Sequence, residues 1–295
     1  MSAADPALAD SSTRTPDRSG ATAPQRFSTR LLRSELRLIA GRRRNQMGLL
    51  VLAAVPVLIA VAVRLSSPHE GRGPDFLSSI TSNGLFVPLA ALSVELGLFL
   101  PLAIAMVAGD AVAGEANLGT LRYLLTVPVG RTRLLVTKYL SLVIGALWAV
   151  AVVVLAGAIA GIALFGTGPM VTLSGTEVSF GSAVWRVVLV SLYVAAGLAA
   201  LAAVGLFIST LTEQPLAATV ALMIFTILSW IADSVPQIAW LHPWLLVDKW
   251  MAFGDLLRDP PFADNIMQGL WVDLAYAVVF GLLAWARFGG KDITS

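Results

Sequence analysis

The chain lacks cysteine altogether and has only two histidines among its 295 residues. Without a thiol there is no disulfide, no thiolate zinc site and no cysteine nucleophile, and composition carries no mark of redox compartment. His69 and His242 are far apart in sequence and have no acidic or hydroxyl partners at ligand or triad spacing. That speaks against a metal site and against an intramembrane serine protease. Charge is scarce as well, at 13% of residues, where a soluble domain carries about 25%. No Gly-x-x-x-x-Gly-Lys-Ser/Thr phosphate loop occurs, and Gly289-Gly290-Lys291 has neither the upstream glycine spacing nor the hydroxyl residue. The chain therefore has no means of binding and hydrolysing ATP in that way.

What the chain does have is apolar residue, 57% of the total, gathered into long runs. They are Met47–Val63, Leu85–Gly109, Leu134–Phe165, Val187–Ile208, Pro215–Ala232 and Gly269–Ala286. The shortest has about 17 residues, near the lower limit for a helix crossing a bilayer. The third is long enough to tilt or project. The pattern predicts an all-α polytopic membrane protein with six transmembrane helices. Pro56, Pro88 and Pro101 fall inside runs and predict kinks, since each removes a backbone donor.

Residues 1–25 are rich in Ser, Thr, Ala, Pro and Asp without a sustained apolar run. They are expected to be a disordered cytoplasmic tail, and they lack the apolar core of a signal peptide. Residues 26–295 form the second unit, the membrane domain. Its first stretch alternates by helical spacing: Phe27, Leu31, Leu32, Leu36 and Ile39 on one face, Arg26, Arg30, Arg33 and Arg37 between them, then Arg42, Arg43 and Arg44. This predicts an amphipathic helix lying in the membrane interface; the plainer alternative is a basic flank of the first span. With the N-terminus inside, the cytoplasmic side holds these arginines, Arg122, Arg131, Arg133, Lys138, Arg287 and Lys291. The outside holds Arg64, Arg72, Arg186, Lys249 and Arg258. The bias places both termini in the cytoplasm.

Within the spans, Glu95 is the carboxylate that needs an explanation. At that depth it costs a few kcal/mol unless paired, hydrated or neutral. It either lines a path and meets a cationic group, or is protonated and bonded to Ser93, Thr226 or a carbonyl. Asp273 is expected near the interface, and Arg186 to pair with Glu177 or an acidic residue of the last outer loop. Gly157 and Gly161 allow close helix approach. The loop Asp233–Gln268 carries Trp240, Trp244, Trp250, Phe253 and Phe262 among charges. It predicts short outer-leaflet helices separated by Pro236, Pro243, Pro260 and Pro261, a plain loop being the alternative.

The inside stretch from Gly109 to Lys138 is the most distinctive. It reads Gly109-Asp110 through Glu115, then Leu118-Gly119-Thr120-Leu121-Arg122-Tyr123-Leu124-Leu125-Thr126-Val127-Pro128-Val129, the basic pair Arg131 and Arg133, and Lys138. Leu118, Leu121, Tyr123, Leu124 and Leu125 give a short helix an apolar patch that Pro128 ends; the alternative is a solvated turn. This stretch resembles the signature of type-2 ABC export permeases, of the bacterial drug- and antibiotic-export type. The resemblance extends to the basic segment before the first span, the six-span count and the ending Phe288-Gly289-Gly290-Lys291-Asp292.

The resemblance implies a permease without catalytic residues or metal of its own. ATP and magnesium belong to a separate ABC ATPase, present in two copies, and the permease pairs with a second copy, as a homodimer in the reading preferred here. It implies a bacterial cell membrane location, contact with lipid, and no nucleic acid. Glu115, Leu118, Thr120, Leu121, Arg122 and Leu124 would couple to the ATPase, with Arg33 and Arg37 of the interfacial helix. Pro88, Glu95, Phe99, Met223, Phe225 and Ser229, with Pro56, are candidates for a path taking a small amphiphile. Two other classes are weighed. An ion-driven transporter or channel needs repeats and broken helices with midplane ligands; no repeat is evident, and Glu95 is the one candidate ligand. A membrane enzyme such as a lipid transferase needs a polar cluster at one face, for which Asp255, Asp259 and Asp264 are the nearest approach, better explained as loop caps.

Overall fold

The computed structural model describes residues 29–66, 83–117, 119 and 130–290. The expected tail 1–25, the first outer loop with His69, Leu118 and residues 120–129 lie outside the described residues. The helices are α1 (Thr29–Gly41), α2 (Arg43–Ser66), α3 (Phe86–Leu96), α4 (Phe99–Asn117), α5 (Arg131–Phe165), α6 (Phe180–Leu211), α7 (Pro215–Asp233) and α8 (Asp264–Gly289). Six of them, α2 and α4 to α8, are long and apolar enough to cross a membrane. The architecture is all-α and polytopic. The only strands among the described residues are β1 (Met170–Val171) and β2 (Glu177–Val178), an antiparallel pair between α5 and α6 with Met170 opposite Val178.

The second apolar run differs from the single span expected. It forms two helices, α3 and α4, broken at Gly97 and Leu98. Pro101 supplies the cause: it has no N–H for the carbonyl of Gly97, and its ring crowds that carbonyl. The chain tightens instead, with Gly97 N donating to Val94 O (3.3 Å) and Leu98 N to Glu95 O (3.2 Å). Pro88 causes no break because it falls in the first turn of α3, where the amide has no intrahelical partner. α4 also runs past Gly109 to Asn117, so the start of the expected inside loop is helical. Its Ala-rich sequence favours this, and its acidic side chains find cations on neighbouring helices.

α6 is the central post. It packs against α4, α5, α7 and α8, and 67% of its apolar stretch is buried, against 22% for α2 and 17% for α8. α6 is crowded with small residues at its contacts, among them Ala195, Gly197, Ala202 and Ala203. The outer helices expose Leu58, Leu216 and Leu282 by 60% or more. A helix that keeps leucine on its outside is matched to lipid as its solvent.

Glycine sets the closest approach in the bundle. A Cβ on Gly161 would collide with the carbonyl of Gly84, and one on Gly157 would lie 2.8 Å from the Cα of Pro88. The Gly157/Gly161 pair thus seats the start of α3 against α5 as its spacing predicts. The connection from α7 to α8 holds three 3-10 helices, Pro236–Ile238, His242–Trp244 and Trp250–Leu257. Pro236 and Pro243 begin or sit inside these turns instead of separating them, because a first-turn proline loses no bond. Arg186 donates to Asp259 (3.2 Å) and to the carbonyls of Leu256 and Arg258, which ties the start of α6 to this cap. Asp273, nine residues into α8, is 8% exposed and lies beside Gly197 and Trp250.

Gly161→Ala and Gly145→Ala make a matched test. Alanine favours helix by about 1 kcal/mol over glycine at both positions. A Cβ at Gly145 meets nothing within 4 Å, so that variant should hold or gain stability. Gly161→Ala should lose about 1–3 kcal/mol through overpacking, read as a lowered unfolding midpoint in detergent.

Candidate functional site

α1 turns Leu31, Leu32, Leu36 and Ile39 towards the bundle, and Glu35 lies in the middle of that face as its one buried residue. A carboxylate there needs a cation. Lys138, two turns into α5, supplies it: its ammonium lies 3.3 Å from Glu35 and also bonds Glu115 near the end of α4. The Lys138 side chain is 2% exposed, and the carboxylates 12% and 13%. One ammonium therefore joins α1, α4 and α5. Removed from water, each of these charges depends on the others, because an unpaired buried ion costs several kcal/mol.

A second group adjoins the first. Arg42, in the turn between α1 and α2, and Arg44, in the first turn of α2, both pair with Asp110 on α4. Arg44 also donates to the Met106 carbonyl at 3.1 Å. Together the groups hold three carboxylates and three cations (Glu35, Asp110, Glu115; Arg42, Arg44, Lys138), a formally neutral set. The α1–α2 turn is fixed by amides that cap the end of α1: Asn45 Nδ2 donates to Ile39 O and Gln46 Nε2 to Ala40 O, both at 2.9 Å. On the other side of α4, the buried Ser209 hydroxyl of α6 enters the helix ladder. It donates to Gly109 O (2.8 Å) and accepts from the amides of Val112 and Ala113.

This places the base of α4 under control from three directions, just before the chain leaves it. Gly119 takes φ +67°, and its amide bonds Ala116 O at 3.0 Å; the left-handed conformation ends the helix. The chain returns at Gly130 into α5, whose first turn is tied to the end of α8. Arg131 donates to Gly289 O (2.7 Å), and Trp285 donates to Thr132 Oγ1 (2.9 Å). Both ends of the 118–129 stretch are thus anchored. Apart from Gly119, the stretch, including Leu118, Thr120, Leu121, Arg122 and Leu124, lies outside the described residues.

The other sequence-predicted residues are placed as follows. Arg33 and Arg37 are exposed on the outer face of α1, away from the cluster that Glu115 joins. Glu95 is 0% exposed near the end of α3, and neither carboxylate oxygen has a hydrogen-bond partner among the described residues. Ser93 and Thr226 bond the carbonyls of their own helices, at Leu89 and Leu222. Phe99 opens α4 and packs on the core. Pro88 abuts Gly157 of α5, while Phe225 of α7 pairs with Tyr276 of α8 at 6.3 Å. Met223 is half-buried, and the Ser229 hydroxyl donates to Phe225 O (2.8 Å). These residues lie on α3, α4 and α7.

Sequence reasoning missed Glu35, the Arg42/Arg44–Asp110 group as a contact, and Ser209. Glu35 left a signal, a carboxylate four residues from Leu31 and from Ile39 on an otherwise apolar face. Ser209 left none, since serine is unremarkable near the end of an apolar helix.

The chain is therefore a multi-pass α-helical membrane protein whose amphipathic first helix is ion-paired to the base of two spans. It belongs to the DUF2705 family, described as a protein of unknown function, whose model matches residues 57–294. No curated protein matches it.

Removing one partner from the buried group should cost more than removing all. Lys138→Met leaves two carboxylates facing each other and should destabilise by about 3–5 kcal/mol. Adding Glu35→Gln and Glu115→Gln should recover most of that loss, read by thermal unfolding in detergent.

Proposed function

We propose that the chain is the permease subunit of an ATP-binding cassette exporter, and that it moves a small amphiphile using ATP hydrolysed by a separate subunit. The observation that carries this reading is the Glu35–Lys138–Glu115 bridge. It joins the amphipathic helix to both flanks of the stretch whose sequence resembles the type-2 export signature. A partner pressing on residues 118–129 would push α4, α5 and α1 as one body, which is how a rigid coupling element works. In this reading two ATPase copies, loaded with ATP and magnesium, seat against Leu118, Leu121 and Leu124, with Thr120 and Arg122 at the rim. Arg33 and Arg37, exposed on α1, meet lipid headgroups or the ATPase.

A second permease copy completes the path. α2 and α7 both touch α4 and carry exposed apolar faces, so a dimer across them would bring Glu95, Phe99 and Met223 of each copy towards one axis. In this reading both termini lie in the cytoplasm of a bacterial cell, which the positive charge on the α1 side supports.

One observation favours an ion-driven transporter instead. The α3–α4 break falls beside the buried, unpartnered Glu95, the arrangement of a discontinuous helix with a midplane ligand. The two readings separate cleanly. Tagged chain solubilised from its own membrane in mild detergent should bring down an ATPase, and Leu121→Asp should abolish the association or the stimulated hydrolysis. If no ATPase accompanies the chain, and proton-coupled flux in ATP-free vesicles is lost in Glu95→Gln, the exporter reading fails and the ion-driven one replaces it.

A further inference from the structure

Two cavities lie side by side along α4 and differ in lining. An apolar one of about 250 Å³ has Leu36, Leu49, Leu52 and Ala103 in its walls, and a space lined in this way stays dry. The other, of about 40 Å³, lies within the ion cluster and is lined by Glu35, Arg42, Asp110, Glu115, Lys138 and Ser141. Val107 and Leu142 border both. Ala103 borders the first, and Ala111, two turns further along α4, borders the second.

The smaller space has the size and the chemistry of a water site. A water needs about 10–15 Å³, so this volume holds about two or three. The lining excludes the alternatives. An apolar guest would leave charged groups without a polar neighbour, and an ion meets no net charge, since three carboxylates face three cations. The cluster also has bonds left to make. An ammonium has three protons, and among the described residues Lys138 uses two, on Glu35 and Glu115. Glu35 accepts that one bond, although a carboxylate has about four acceptor sites. The Ser141 hydroxyl donates to Lys138 O (2.7 Å), which leaves its oxygen to accept. A buried ion group recovers its desolvation cost only when such protons and lone pairs are met.

We infer that this cavity is a hydration site, and that its waters join the Glu35–Lys138–Glu115 bridge to the Arg42/Arg44–Asp110 group as one network. Water accepts from Lys138 and donates to Glu35 and Asp110. The ligand is structural: the contact that holds α1 to α4 and α5 is complete only when hydrated. The site stands whether or not the chain pairs with an ATPase.

A pair of substitutions on α4 tests this by the sign of their effect. An added methyl group in a dry space improves packing, whereas in a hydrated one it displaces water from charges. Ala111→Val should lower the thermal unfolding midpoint of the full chain in detergent by about 2–4 °C. Ala103→Val carries the same cost of β-branching in a helix, and should leave the midpoint unchanged or raise it. The water itself is read by hydroxyl-radical labelling, with X-rays generating radicals from water bound inside the intact chain. Leu142, 2% exposed beside the ion cluster, should be labelled. Leu52, 1% exposed and bordering the apolar cavity, should not. Ala111→Val should reduce the labelling of Leu142 several-fold. An equal or higher midpoint for Ala111→Val, or Leu142 no more labelled than Leu52, overturns the inference. Should Ala111→Val fail to fold, or both substitutions lower the midpoint alike, the labelling of the unsubstituted chain decides.

Discussion

The ammonium of Lys138 between two carboxylates is the contact on which the arrangement at the α1 end depends. Without it, α1 is a short amphipathic helix of 13 residues, about the length at which an isolated helix is marginal. With it, α1 is attached to the two spans that flank residues 118–129. The energetics favour specificity over raw stability. A buried ion triad recovers its desolvation cost only when every member is present, so the cluster has one good geometry and no graded series of poorer ones. Arg42 and Arg44 on Asp110 extend the same logic to the α1–α2 turn.

α4 is the element through which these constraints reach the rest of the molecule. Its upper end is separated from α3 by the break that Pro101 imposes. Its middle is entered by the Ser209 hydroxyl, and Gly109 lets α7 lean on it, where a Cβ would lie 3.0 Å from Pro215 O. Its lower end carries both acidic members of the cluster that belong to it, Asp110 and Glu115. A helix interrupted at one end and ion-paired at the other is suited to move as a unit about the break. In the proposed exporter, the inner loop would drive that movement and Glu95, beside the break, would sense it.

The sequence made much of this legible because lipid imposes a coarse rule. Apolar length alone located four of the six runs within five residues at each end, and the Gly157/Gly161 spacing located the tight α3–α5 contact. The break in the second run was not legible from hydropathy, since α3 and α4 are equally apolar on both sides of Gly97. Pro101 was visible, but so were Pro56, in the middle of an unbroken α2, and Pro88, so proline alone did not mark the break. Glu115 was expected to meet a charge on the ATPase or on the interfacial helix, and Lys138 was noticed only as a basic residue opening the third span. That they face each other, with Glu35 between α1 and α5, depends on helix packing across more than a hundred residues of sequence separation in the case of Glu35, which no local pattern encodes.

In the proposed exporter, the Lys138 cluster transmits force between residues 118–129 and the membrane helices. The direct measurement uses the chain co-purified with the ATPase that this proposal requires and reconstituted in vesicles, with Lys138→Met, Glu35→Gln and Glu115→Gln combined. The account predicts a folded complex that still binds and hydrolyses ATP but no longer transports. Transport at the unsubstituted rate in that triple variant would contradict it.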